Sequence, residues 1–425
     1  MVMQTPLDCV TNPHHHDPGR FLLAAGFPGQ SIRTDYKKMD KPLKTPRIIV
    51  VDCLRGFALF GLFIVHMVEY FELYWYMPEP GFVHNLIFFL FGGKAYAIFA
   101  LLFGLSFFII MDNQAKRGVN FRARFSWRLT LLCILGYLHG VLYSGDILQV
   151  LALSGFLLVL IYPLSNRSIL VLTALFLLQT PMIALGLLSA LGAPALPQGH
   201  PGIAEVYANG SFLEVLKINL WHGQAGKWLW MINSGRIWNI VGLFLLGFLL
   251  GRVRFFEIYH EKLKACSAAF FIAVVLVLTL YYLQPLLSAM PGKEAVSSLI
   301  DQVVDHYIHT GLVVTGVLLF LFAFEVRTLN RLMKTLAPSG RMSLTIYVGQ
   351  SLFGVPMFYG FGLGLYQGFG QWSALLLGLV LWVVQMILSR AWLSRYQYGP
   401  LEWLWRSATY LSTDVAWKRI TPLER

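Results

Sequence analysis

The stretch RIIVVDCLRGFALFGLFIVHMVEYF, residues Arg47 to Phe71, decides the fold. It is apolar over more than the roughly 20 residues that a helix needs to cross a bilayer. It nevertheless carries Asp52 and Arg55 near its start and His66 near its end. An ionisable group at mid-membrane costs roughly 2.5–3.5 kcal/mol on insertion scales, so such groups mark function or pairing. Asp52 and Arg55 are three apart, share one helix face and can offset each other's cost. His66 falls about 20 Å further along the same helix, at a rise of about 1.5 Å per residue.

The rest of the chain extends this pattern. Of its 425 residues 57% are hydrophobic and 13% charged, against roughly 25% charged in soluble proteins. A net charge of +12 would point to nucleic acid in a soluble domain. Here the basic residues sit in short gaps between apolar runs, so no nucleic-acid partner is expected. Cys9, Cys53, Cys133 and Cys266 have neither CxxC nor Cys–His spacing, which argues against a disulfide framework or a zinc site. Residues 1–46 are polar and read as a flexible cytoplasmic extension. They lack the uninterrupted apolar segment of a signal peptide, and His14, His15 and His16 within them read as incidental.

Ten apolar segments are expected to span the membrane, at 47–70, 86–111, 127–143, 147–163, 168–190, 237–255, 265–287, 305–326, 342–361 and 372–393. The fold class is an all-α polytopic membrane protein with a ten-helix domain over 47–393. The third and fourth segments are joined by a tight turn at Tyr143-Ser144-Gly145-Asp146. Residues 191–235 read as a long extracytoplasmic loop, and 394–425 as a cytoplasmic tail lying in the interface. With both termini inside, 27 Lys and Arg fall on the inner side and 5 on the outer, Arg55 being the one left within a span. That asymmetry is what the positive-inside rule requires.

This topology sorts the polar residues by side. Asp52 and Arg55 lie near the inner face, where the Arg55 fork suits an anion such as phosphate. His139 and Asp146 lie at the outer ends of the third and fourth segments. A histidine with a carboxylate partner is the usual general base for a hydroxyl or amine. His66, Glu69, Glu72, Glu79, His84, His222, His306 and His309 also lie on the outer side, and no metal ion is expected among them. Ser343, Tyr347, Gln350 and Ser351 form a polar stripe on the ninth segment. Gly247 and Gly251 form a GxxxG pair suited to close helix packing. These residues fit three classes of protein: a membrane enzyme, a transporter or lipid flippase using the same polar cavity, and a non-catalytic scaffold. No repeat relates the two halves, which weighs against a carrier built from repeats.

Several blocks in order resemble the YeiB-like family of bacterial inner-membrane proteins. They are DCLRGFAL (52–59), FALLFGLSF (99–107), SGDIL (144–148), GRMSLT (340–345), QS (350–351) and GPLEWLWR (399–406). The resemblance runs from about residue 47 to 410. It implies kinship with transmembrane acyltransferases, a group that includes heparan-α-glucosaminide N-acetyltransferase. The implied activity moves an acyl group from cytoplasmic acyl-CoA, such as acetyl-CoA, to a small-molecule, glycan or lipid acceptor on the extracytoplasmic side. It also implies multi-pass residence in the bacterial inner membrane among lipids. Assembly as a homo-oligomer is compatible with it. In that scheme Asp52 and Arg55 would hold the donor's phosphates, and His84, His139 and Asp146 would serve catalysis. His84 is carried over by position from the relative's catalytic histidine.

Overall fold

The computed structural model describes residues 47–76, 78, 79, 81–194, 197, 202–289 and 294–418. The extension 1–46 and the last residues of the tail, 419–425, lie outside the described residues. Helix is the only regular structure among the described residues, with one isolated antiparallel bridge between Tyr396 and Lys418.

The main helices are α1 (Ile49–Val68), α2 (Phe82–Leu90), α3 (Lys94–Ala115), α4 (Arg122–Leu142), α5 (Leu148–Ile161), α6 (Asn166–Leu177) and α7 (Thr180–Ala190). After them come α8 (Arg236–Arg252), α9 (Leu263–Ser288), α10 (Glu294–Glu325), α11 (Ser343–Phe358), α12 (Gln371–Arg395) and α13 (Pro400–Tyr410). Six stretches are long and apolar enough to cross a membrane, or eight if the two bent pairs each count as one crossing. One bent pair is α6 with α7, at 44°, and the other joins 212–233 to α8, at 75°. The expected fourth and ninth spans are the shorter helices α5 and α11, of 14 and 16 residues.

Burial explains the arrangement. Within its apolar window α1 is 67% buried, whereas α9 is 11% buried. α1 packs against α3, α11, α12 and the short helix Ala337–Arg341. α9 packs chiefly on α10 and leaves Phe271, Ile272, Val275, Leu276, Tyr281 and Tyr282 exposed. A soluble protein does not leave such continuous apolar faces uncovered. Lipid covers them at no cost, while every backbone polar group stays bonded within its helix. The molecule therefore has the character of a multi-pass membrane protein.

Two glycine-mediated crossings set the bundle's core. α3 and α8 approach so closely that a Cβ on Gly247 would strike the Leu101 carbonyl oxygen, and one on Gly104 the Phe244 carbonyl oxygen. The Gly247–Gly251 pair is thus spent on packing within the chain. At the second crossing a Cβ on Gly340 would strike the Asp52 carbonyl oxygen, and one on Gly56 that of Leu336. This crossing locks the GRMSLT block onto the DCLRGFAL block.

Among the described residues of the connection 191–235, those from 203 to 233 are mostly helical rather than irregular. The connection contains Ile203–Asn209, Phe212–Ile218, a π-helical turn Asn219–Gly223 and Gln224–Asn233. The start of the second is fixed by a capping box, in which Ser211 accepts from the Glu214 amide and Glu214 accepts from the Ser211 amide. Its Pro and Gly residues disguise this helical pattern in the sequence.

Candidate functional site

Two cavities lie in the bundle, and Tyr347 of α11 lines both. The first, of about 650 Å³, contains the expected inner site. Asp52 holds two arginines there. Arg47 Nε donates to Asp52 Oδ2 at 2.5 Å, and Arg55 Nη1 donates to Asp52 Oδ1 at 3.3 Å. Arg55 also donates to the Gly340 carbonyl at 3.3 Å and to Ser106 Oγ at 2.8 Å. Residues from five of the resemblance blocks line this cavity, among them Arg55, Ser106, Leu148, Ser343 and Trp405. Lys116, Arg128, Arg254 and Arg341 line it too, against the acids Asp52, Asp112, Glu257 and Glu402, so its wall carries a modest cationic excess that suits an anionic ligand.

Helix α13 closes this cavity. The Arg128 guanidinium lies 3.6 Å from the Trp405 ring centre, and Trp405 Nε1 donates to the Arg128 carbonyl. Half-buried Glu402 accepts from the Leu344 and Thr345 amides, at 2.7 and 3.1 Å, and from Thr345 Oγ1 at 2.6 Å. It thereby satisfies donors left open at the start of α11. Burial pushes its carboxyl above the ordinary range despite these bonds. The GPLEWLWR block is thus part of the inner site's wall, a role that its pattern of tryptophans, leucines and arginine does not reveal.

The second cavity, of about 830 Å³, lies at the opposite end of α1. Three successive non-glycine residues, Tyr70, Phe71 and Glu72, have left-handed φ values of 51°, 51° and 83°. The chain therefore folds back as α1 ends, and Glu72 returns beside His66 and Glu69. Tyr143 joins this group. Its hydroxyl lies 2.9 Å from His66 Nδ1 and donates to Glu72 Oε1 at 3.0 Å. The helical connection supplies further wall through Tyr207, Lys227 and Trp230. Tyr207 donates to Asn219 Oδ1 at 2.6 Å and accepts from Ser144 Oγ at 2.7 Å.

His139 and Asp146 meet as the tight turn allows, the Asp146 amide donating to the Tyr143 carbonyl at 3.2 Å. His139 Nδ1 lies 2.8 Å from Asp146 Oδ1, with both side chains almost wholly buried. A carboxylate only accepts, so the proton sits on Nδ1 and Nε2 is left as the basic nitrogen. Nε2 is buried without a hydrogen-bond partner. The ring packs 5.3 Å from that of Tyr347, one side chain removed from both cavities.

His84 is placed differently. Its ring is stacked between Tyr74, at 4.2 Å, and Phe88, at 4.1 Å. It lines neither cavity, although Phe88 and Trp75 beside it line the outer one. His309 lines the outer cavity and His306 bonds the Ser234 carbonyl. The sequence reading names Glu69 and Glu72 only as outer-side groups and gives Tyr143 no chemical role. Only the reversal at 70–72 brings the three together.

These features define an all-α, multi-pass membrane protein with a cationic cavity at one end of its central helix and a mixed-charge cavity at the other. The model of a family described as "Protein of unknown function (DUF418)" matches residues 250–412. The chain is similar to the uncharacterized protein YxaH of Bacillus subtilis (strain 168), with 27% identity over 405 residues, 87% of this chain and 96% of that protein. It is also similar to the uncharacterized protein YeiB of Escherichia coli (strain K12), with 25% identity over 406 residues, 87% of this chain and 98% of the relative. An uncharacterized 39.9 kDa protein from the amylase 3' region of Bacillus acidopullulyticus is 26% identical over 396 residues, 88% of this chain and 96% of that protein. The likeness to YxaH and YeiB over most of the chain supports the resemblance to the YeiB-like family.

Proposed function

We propose that the protein is a membrane acyltransferase that takes an acyl-CoA in the inner cavity and delivers the acyl group to an acceptor in the outer one. The observation that carries this reading is the pair of cavities with the single side chain Tyr347 common to both. Arg55, held by Asp52 and Ser106, would bind the donor's phosphates together with the other cationic side chains of the wall. The thioester arm would reach past Tyr347 toward His139. There His139 Nε2, its tautomer set by Asp146, would take the proton from an acceptor hydroxyl or amine. The acceptor's oxygen or nitrogen attacks the thioester carbonyl carbon, the carbon–sulfur bond breaks, and the proton passes to the departing thiolate. Neither histidine lines a cavity; we assign the base to His139 because its ring packs against Tyr347 and Asp146 sets its tautomer, whereas the His84 ring is clamped between two aromatic rings.

The same reading takes the chain to cross the bacterial inner membrane ten times, with α5 and α11 among the crossings and both termini cytoplasmic. The 27-to-5 division of basic residues supports it. Binding of radiolabelled acetyl-CoA to the purified protein, wild type against Arg55→Ala, tests the donor site. Loss of binding in the variant is the expected result. Equal binding in both, or none in either, removes the donor site.

One observation also favours a carrier. Two cavities divided by one side-chain layer are the geometry of an occluded transporter, and ionisable residues then mark the path. Solute movement into proteoliposomes without acyl-CoA, abolished by Arg55→Ala, would favour that reading.

A further inference from the structure

We infer that the outer cavity holds a divalent transition-metal ion at His66, Glu69 and Glu72. One potential ligand atom from each residue lies within 4.8 Å of those of the other two. His66 Nδ1 and Glu69 Oε2 are 3.8 Å apart, and about 2 Å from each donor to a shared ion is the usual reach. One imidazole nitrogen with two carboxylates is a donor set that suits Zn²⁺ or Mn²⁺ more than Ca²⁺ or Mg²⁺, which prefer oxygen alone.

A second observation points to a cation from solution. Two carboxylates shielded from water need a compensating charge. Among the described residues, no lysine or arginine lies within ion-pair distance of either Glu69 or Glu72. The cationic side chains nearby are engaged elsewhere. Lys227 donates to Gln224 Oε1 at 2.9 Å, and Lys94 to the Phe88 carbonyl at 3.0 Å. Arg236 lies over the rings of Trp230, at 4.3 Å, and Tyr96, at 4.9 Å. Glu69 faces the His66 imidazole and Glu72 feels only the more distant charge of Arg236, so neither acid has a lysine or arginine in contact with it. His66 Nδ1 donates to the Tyr143 oxygen, whose single proton goes to Glu72; a metal ion would take the place of that Nδ1 proton, whereas an organic ammonium is recognised by acceptors alone.

The neighbours supply an outer shell. Tyr143 donates to Glu72 Oε1, and Trp75 Nε1 donates to Glu69 Oε1 at 3.0 Å. Each leaves the other oxygen of its carboxylate for the ion and fixes its direction. In this geometry the ion would hold the fold-back at 70–72 and present a Lewis-acidic centre to the outer cavity. The inference does not depend on acyl transfer.

The test uses the full chain in lipid nanodiscs with His14, His15 and His16 replaced by alanine, which removes the competing N-terminal histidines. After chelation the protein is titrated with Zn²⁺, and its metal content is read by mass spectrometry. One equivalent is expected, with loss of that equivalent in His66→Ala and in Glu72→Gln. Tyr143→Phe keeps the ring and all three ligands, and is expected to weaken binding by about 10–100-fold, as outer-shell changes do. It decides the matter if the ligand variants do not fold. Zinc content unchanged in Tyr143→Phe and His66→Ala, no zinc bound by folded protein, or binding of ethylammonium in place of zinc would each overturn the inference.

Discussion

The Ile147 amide donates to the Tyr347 hydroxyl at 3.1 Å, tying the start of α5 to the one side chain that lines both cavities. This bond fixes the Tyr347 ring where the inner and outer spaces meet. Tyr347→Phe keeps the ring and leaves a buried amide unsatisfied, at a cost of about 1–3 kcal/mol. Tyr347→Ala removes the partition as well. With a cysteine placed at Ser106 on the inner side, an impermeant thiol reagent added from the outer side is expected to label Tyr347→Ala and spare Tyr347→Phe. Equal labelling of the two would show that Tyr347 does not divide the cavities.

The His139–Asp146 pair makes a separable prediction. Asp146→Asn retains an oxygen for the His139 Nδ1–H but removes the charge that supports a protonated ring. Acyl transfer is expected to fall by about 10²–10⁴-fold, the range of general-base catalysis, with acetyl-CoA binding unchanged. The contrast with Arg55→Ala, which loses binding, separates the two ends of the molecule. A variant that transfers normally excludes the dyad.

The helix crossings give a stability test that needs no substrate. Gly247→Ala drives a methyl group into the Leu101 carbonyl oxygen, and overpacking of this kind costs about 1–3 kcal/mol. Gly316→Ala, on α10 with open space around it, is expected to leave stability unchanged or raise it by up to about 1 kcal/mol. Thermal unfolding of both in detergent checks the difference. Equal midpoints would mean that α3 and α8 are further apart than described.

Glu402 predicts a pH dependence. Its carboxyl is raised by burial from an ordinary value near 4.5. A raised folded-state value means that the folded chain holds the proton more tightly than the unfolded one. The group's titration-linked stabilisation is complete below about pH 4.5 and is lost as pH rises through the raised value. The wild-type advantage over Glu402→Gln, followed by thermal midpoint, is therefore expected to shrink as pH rises. An advantage that grows with pH would show that the amide bonds from Leu344 and Thr345 outweigh burial.

Much of this was readable from residue order because it follows from local rules. The 3.6-residue period places Asp52 and Arg55 on one face. A four-residue turn between two apolar runs brings His139 to Asp146. The outer group was not readable. His66, Glu69 and Glu72 continue one helical spacing, but the chain leaves the helix at Tyr70, and nothing in Tyr70-Phe71-Glu72 announces left-handed backbone. Tyr143 reaches them from a residue 71 positions further on, and no spacing rule covers such a contact. The His84 carry-over gives a position along the chain, whereas the Tyr74 and Phe88 rings give it a setting.

By itself the sequence determined the membrane character, the course of the main helices and the pairing of Asp52 with Arg55, because hydropathy and helical period act over neighbouring residues. Only the tertiary structure decided that α1 is the bundle's central helix and that its two ends open into separate cavities. It alone made Tyr347 common to both and enclosed two acids beside His66. Those are consequences of packing. Gly56, Gly104, Gly247 and Gly340 let distant helices touch backbone to backbone, and that contact sets which side chains share a space.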